Sequence, residues 1–192
     1  MKNSGPLSVY RCSHWFYKHR LKHVSKFLDW TNRLLFACWC PGSATIGRGT
    51  RLGYWGAGTV IHSNSTIGEN CMVAQGVTIG RNFGDSKVPV IGDDVYIGAG
   101  SKVFGEITIG NNVIIGANSV VNKSIPDNCT VAGNPFRILK ENRKEKYYEM
   151  DKEYKRRKTM IDNPGSLTTW GGVKYSTVHR AAYSSTYYLS AA

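Results

Sequence analysis

The chain has no uninterrupted apolar run of about eighteen residues, so no membrane-spanning helix is expected. Met1–Val9 lacks the apolar core of a secretory leader, which points to a cytoplasmic chain. Cysteine is sparse and odd in number: the five are Cys12, Cys38, Cys40, Cys71 and Cys129. Cys38-Trp39-Cys40 is too tight and too isolated for a zinc site, so free thiols and no metal are expected. Carboxylates are also short, 13 against 25 Lys and Arg, for a net charge of +12. Much of that charge lies in Arg11–Arg33 and Lys140–Lys158, with no nucleic-acid-binding motif beside it. Anionic small molecules or a membrane surface are therefore the expected partners, rather than nucleic acid.

A helical or simple strand period is also missing from the middle of the chain. In its place an aliphatic residue recurs on every sixth position, through Ile46 and Leu52, then Ile61, Ile67, Val73 and Ile79. The series resumes at Ile91, Ile97, Val103, Ile109, Ile115 and Val121. Glycine often follows the aliphatic, and a small or β-branched residue stands four places after it, as at Thr50, Ser65, Val95 and Ser119. This pattern predicts an all-β core, a left-handed parallel β-helix of hexapeptide repeats in which three short strands make one coil. Burying each aliphatic side chain is worth roughly 1.5–3 kcal/mol, while ordering backbone costs about 1–2 kcal/mol per residue. One coil cannot stand alone, and stability must come from stacking. Eighteen residues per coil put Ile61, Ile79, Ile97 and Ile115 in one interior column, and Val73, Ile91 and Ile109 in another.

The beat is interrupted twice. Leu52 to Ile61 holds a three-residue insertion within Gly53–Val60, and Arg81–Pro89 has no aliphatic at its sixth position. The second stretch reads as a loop leaving the coil, where binding and chemistry tend to sit. The expected organisation is a helical cap over 1–43, the β-helix over 44–138, a charged helix over 139–160 and a poorly ordered tail over 161–192. Tyr10–Phe36 has helical spacing of apolar and basic residues, which suits capping the open coil or lying on a membrane.

Val60–Gly80, Val90–Val121 and the ending Val131–Ile138 (VAGNPFRI) resemble the hexapeptide acyltransferases, specifically their serine O-acetyltransferase-like branch, which includes polysaccharide O-acetyltransferases. The resemblance implies an O-acetyltransferase that uses acetyl-CoA, assembles as a homotrimer and binds CoA between neighbouring β-helices. The acceptor would be a small molecule such as serine, as in cysteine biosynthesis, or a sugar of a surface polysaccharide. Serine acetyltransferases carry an Asp-His pair whose aligned positions here are Tyr54 and Trp55, and a second histidine that aligns with Val88. These positions therefore cannot supply the imidazoles.

His62 is the only histidine among the coils, and no other coil residue offers a neutral base at pH 7. By steps of eighteen it stands over Gly80, Gly98 and Gly116, a smooth track beside Ala99 and Ala117, which match the family's pantetheine-lining segments. His62 is thus the candidate base, with Gly80, Gly98, Ala99, Gly116 and Ala117 as candidate CoA contacts. Lys123, Arg137 and Lys140 are candidates for the CoA phosphates. Tyr54 and Trp55 suit stacking on a sugar, and Gln75 suits acceptor or oxyanion binding. Two alternatives stand: a catalytically inactive trimeric scaffold, and a carbonic-anhydrase-like β-helix, which the single coil histidine disfavours.

Overall fold

The computed structural model describes residues 5–152. The chain divides into two compact units, Met1–Tyr147 and Tyr148–Ala192. Within the second unit, 148–152 are described and helical, while the expected tail over 161–192 lies outside the described residues.

In the first unit, short parallel strands stack into three flat faces. The first face holds Thr45–Ile46, Thr66–Ile67, Val90–Ile91 and Thr108–Ile109. The second holds Arg51–Leu52, Met72–Val73, Tyr96–Ile97, Ile114–Ile115 and Thr130–Gly133. The third holds Val60–Ile61, Thr78–Gly80, Lys102–Phe104 and Val120–Val121. In each pair the second residue points inward, so the sixfold beat becomes the core; Ile61, Val73, Ile79 and Ile115 are fully buried. The small or β-branched residues four places on turn inward too, with Thr50, Ser65, Val95, Ser101 and Ser119 all buried.

The interior columns differ from the simple eighteen-residue count. Ile61 stacks on Ile79, Val103 and Val121. Leu52 stacks on Val73, Ile97, Ile115 and Val131. Ile46 stacks on Ile67, Ile91 and Ile109. The cause is the stretch 81–89, which turns a single corner between the third and first faces while using a full hexad more than a corner needs. Every strand after it is displaced by one face, although the sixfold phase is unchanged.

Glycine after the inward aliphatic is required by space at some corners. A Cβ on Gly68 would lie 2.4 Å from the Gly92 carbonyl oxygen, and one on Gly98 would lie 2.5 Å from the Ala117 nitrogen. Both contacts are with backbone of the next coil, which cannot rotate away.

The N-terminal segment forms two helices rather than one, α1 (Pro6–Lys18) and α2 (Lys22–Phe36), broken where Arg20 adopts a positive φ of 64°. α1 closes the open end of the stack. Tyr10 donates from its hydroxyl to the Ala44 carbonyl (2.8 Å) and accepts from the Ile46 N–H (3.0 Å). Arg11 donates to the carbonyls of Ile46 and Gly47. Backbone groups that would otherwise end as an unpaired edge are thereby satisfied. Burial pushes the Tyr10 phenol up to about 12.

Between the helices lies a polar knot. Ser13 donates to Asp29 Oδ1 at 2.6 Å, the Gly42 N–H donates to the same oxygen at 2.9 Å, and the Ser25 hydroxyl is 2.9 Å from Ser13. Burial raises the Asp29 carboxyl above its ordinary range, against the lowering effect of those two hydrogen bonds. Asp29→Asn keeps the Oδ1 acceptor and removes a desolvated charge, so at pH 7 it is expected to be at least as stable as the parent. Asp29→Ala strands the Gly42 N–H and leaves Ser13 only Ser25, whose carbonyl lies at 3.1 Å, and is expected to cost about 1–3 kcal/mol. Because the folded-state value is raised, the stability the group contributes is present in acid and lost as pH rises through that value. Thermal melts should show the parent falling behind Asp29→Asn as pH is raised from about 4 to 7.

At the other end, Phe136–Lys140 pairs antiparallel with Thr130–Gly133. The expected helix from residue 139 is therefore corrected: Leu139 and Lys140 are strand, and helix begins at 147. The turn at Asn134-Pro135 folds the chain back onto the exposed edge of the last coil, and edge pairing outweighs the helix-compatible composition. Residues 153–160 of that expected helix lie outside the described ones.

Candidate active site

The displaced register separates the candidate residues onto two edges of the prism. Gly80 ends a strand of the third face, and His62 and Lys123 follow strands of that face; all three lie on the edge between the third and first faces, called here the His62 edge. Gln75, Gly98, Ala99, Gly116 and Ala117 follow strands of the second face and lie on the edge between the second and third, the Gln75 edge. The expected track of Gly80, Gly98 and Gly116 beneath His62 is thus corrected. Below His62 come Gly80 and then Phe104, through the pairing of Gly80 with Phe104.

On the Gln75 edge the small residues do form a line. Gly53 backs onto Ala74, Gly98 onto Gly116 and Ala117, and Gly116 onto Ala132. The Gly100 N–H donates to the Gln75 carbonyl at 3.0 Å and the Asn118 N–H to that of Ala99 at 2.8 Å, tying successive coils together. Tyr54 and Trp55 crown this edge in the three-residue insertion, both with positive φ (47° and 60°). Trp55 rests on Phe36 of α2, ring centroids 5.4 Å apart, while Tyr54 is 80% exposed. At the far end of the same edge Arg137 pairs with Ala132 and is exposed. Arg137 is thus placed at the end of the small-residue line, whereas Lys123 belongs to the other edge and Lys140 pairs with Thr130.

The His62 edge carries the loop 81–89. Val88, which aligns with the second family histidine, is buried at 8% exposure, so that position faces the core. His62 thus shares an edge with the position of the second family histidine and not with that of the first, Trp55. Its main-chain N–H donates to the Ile79 carbonyl at 2.9 Å. Its Nδ1 accepts from the Asn64 N–H at 3.2 Å, so the neutral ring carries its proton on Nε2. In that state the imidazole is set to donate outward. Releasing the Asn64 contact, an exposed hydrogen bond worth about 0.5–1.5 kcal/mol, frees a nitrogen to accept a proton.

Lys102, which no sequence motif marks, stands on the outer side of the third face between the two edges. Its ammonium donates to the Gly76 carbonyl (2.9 Å) and to Thr78 Oγ1 (3.0 Å). Its outward place in the hexad was the only available signal. Among the described residues no group of three or more His, Cys, Asp and Glu is arranged to hold a metal. Asp94 pairs with Lys146 at 2.8 Å.

Two family models match the coils: bacterial transferase hexapeptide (six repeats) over residues 89–123, and hexapeptide repeat of succinyl-transferase over 56–83. The serine acetyltransferase of Synechococcus elongatus is 38% identical over 135 residues, covering 69% of this chain and 55% of that protein. That of Helicobacter pylori is 33% identical over 139 residues, covering 71% of this chain and 81% of the relative. A crystal structure of serine acetyltransferase in complex with coenzyme A from Brucella abortus superposes with a TM-score of 0.68 at 35% identity, covering 70% of this chain and 54% of that one. The chain therefore spans little more than half the length of several relatives that it matches. Periodicity, register and these likenesses agree: the chain belongs to the hexapeptide-repeat acyltransferases, as a serine O-acetyltransferase-like member.

Proposed function

We propose that this protein is an acetyl-CoA-dependent O-acetyltransferase acting on a hydroxyl of serine or of a surface-polysaccharide sugar. The observation that carries the reading is the Gln75 edge, a line of small residues with exposed aromatics at one end and Arg137 at the other. Gly98, Ala99, Gly116 and Ala117 leave room for a pantetheine arm, and Arg137 would meet the phosphates. Tyr54 and Trp55 present aromatic faces suited to a sugar ring, while the serine acetyltransferase relatives favour serine.

His62 lies a whole face away from that line within one chain. We therefore read the active protein as a homotrimer, in which the His62 edge of one subunit faces the Gln75 edge of the next. Exposed Val60, Phe83 and Val90 flank the His62 edge, and such apolar residues suit burial against a neighbour. Lys123, on the same edge, would reach the CoA phosphates from that side.

The chemistry is direct transfer. His62 releases Asn64 and takes the acceptor hydroxyl proton as the oxygen attacks the thioester carbonyl. The C–S bond breaks, and the imidazolium returns the proton to the leaving thiolate. The Gln75 side chain of the facing subunit, or a backbone N–H near Gly80, would stabilise the tetrahedral oxyanion. The protein is read as cytoplasmic, with the α1–α2 hairpin in peripheral contact with the inner face of the membrane.

The test is thiol release from acetyl-CoA with serine, free sugars and sugar-lipids as acceptors. Acceptor-dependent release is expected from at least one of these. Release with none of them supports the inactive scaffold instead.

A further inference from the structure

Helix α2 is built inside out. The side turned toward α1 and the Gly42 loop is polar: Ser25, Asp29 and Asn32 are buried. Their hydrogen bonds are internal, and Asn32 Nδ2 donates to the Pro6 carbonyl at 3.1 Å. The opposite side is apolar and bare, with Phe27 70%, Trp30 59%, Leu34 77% and Leu35 68% exposed. A period of 3.6 residues places these with Val24 on one arc, which also carries exposed His23 and half-buried Thr31. The same period places Lys22, Lys26 and Arg33 together on a strip beside the arc, next to Trp30. Arg33 also lies over the Trp39 ring, its guanidinium carbon 5.7 Å from the centroid.

The neighbouring end of α1 adds exposed Trp15 and Tyr17, together with Lys18 and, in the turn after it, Arg20. Across both helices the one carboxylate is Asp29, which is turned inward. No helix among the described residues is long and apolar enough to cross a membrane. An apolar arc with a basic flank and tryptophan at the boundary is instead the arrangement of a helix lying in a bilayer interface. A second copy of the hairpin would bring like charges together, whereas acidic headgroups would neutralise them.

We propose that the α1–α2 hairpin docks on an anionic phospholipid surface, inserting Phe27, Leu34 and Leu35 and placing Lys22 and Lys26 among the headgroup phosphates. The inference rests on the peripheral-contact reading of the function and names its ligand. Each cation near such a surface is worth about 1 kcal/mol, close to fivefold in binding, and salt weakens the attraction.

The experiment is co-sedimentation of the full chain with phosphatidylcholine vesicles, with and without phosphatidylglycerol. Binding at least about tenfold stronger to the acidic vesicles is expected, with loss at high salt. Phe27→Ser/Leu34→Ser/Leu35→Ser and Lys22→Glu/Lys26→Glu should each weaken it by about tenfold or more. Their melting temperatures, and thiol release with any soluble acceptor the parent uses, should match the parent, which separates failure of docking from failure of acetyl transfer. The proposal is overturned if the parent ignores acidic vesicles, binds neutral ones equally well, or is matched by either variant. It is equally overturned if light scattering shows the apolar variant dispersing a larger assembly that does not bind vesicles, since the arc then belongs to a second copy.

Discussion

Replacing His62 by Asn is expected to lower kcat for acetyl transfer by about 10²–10⁴-fold while leaving KM for acetyl-CoA nearly unchanged. Asparagine is chosen because its Oδ1 can still accept from the Asn64 N–H, which spends Nδ1 of the imidazole at 3.2 Å. The local turn then survives, and the thermal melt should match the parent. Only the basic nitrogen that takes up and returns the proton is lost. Initial rates of thiol release at saturating and limiting acetyl-CoA separate the two constants. A rate within twofold of the parent, with the fold intact, removes His62 from the chemistry and leaves the transfer without its proposed base.

Gly98→Val is expected to cost more than about 4 kcal/mol or to leave the chain insoluble. The new Cβ would sit 2.5 Å from the Ala117 nitrogen, 2.7 Å from the Gly116 carbonyl carbon and 2.8 Å from the Ala117 Cα. All three are backbone atoms of the next coil, so relief requires parting two coils that stack Ile97 on Ile115. Gly80→Ala is the contrast. Its Cβ would lie 3.7 Å from the Phe104 ring, an ordinary contact, and a cost below about 1 kcal/mol is expected. Urea unfolding midpoints compare the two. Equal costs would mean that the corner glycines are not held by stacking geometry.

These two glycines also show what the sequence made legible. The sixfold beat identified the inward residues of the coils because side-chain burial depends only on phase within the hexad. Which face a residue occupies depends on phase within the full coil, and the stretch 81–89 preserves the first while shifting the second. Gly80 and Gly98 therefore read as one column but stand on different edges. The place of each proposed residue within its hexad was legible; the grouping of those residues on edges was not, because a loop's path is not written in its length. The polar inner side of α2 was hidden for another reason. An apolar stripe at helical spacing reads as the buried side, and only the contacts of Ser13, Asp29 and Gly42 show the reverse. The strand Phe136–Lys140 depends on a free edge that exists only once the last coil has formed.

The proposed site joins the His62 edge of one chain to the Gln75 edge of another. Complementation between two inactive variants tests it most directly. His62→Asn breaks the first edge, and Ala117→Trp fills the second; each alone should be nearly inactive in thiol release. When the two are unfolded together in equal amounts and reassembled, a trimer with shared sites should recover about a quarter of the parent's activity, since each site needs one intact edge from each variant chain. Activity that stays at the level of the separate variants, in trimers shown to be mixed, would contradict the claim.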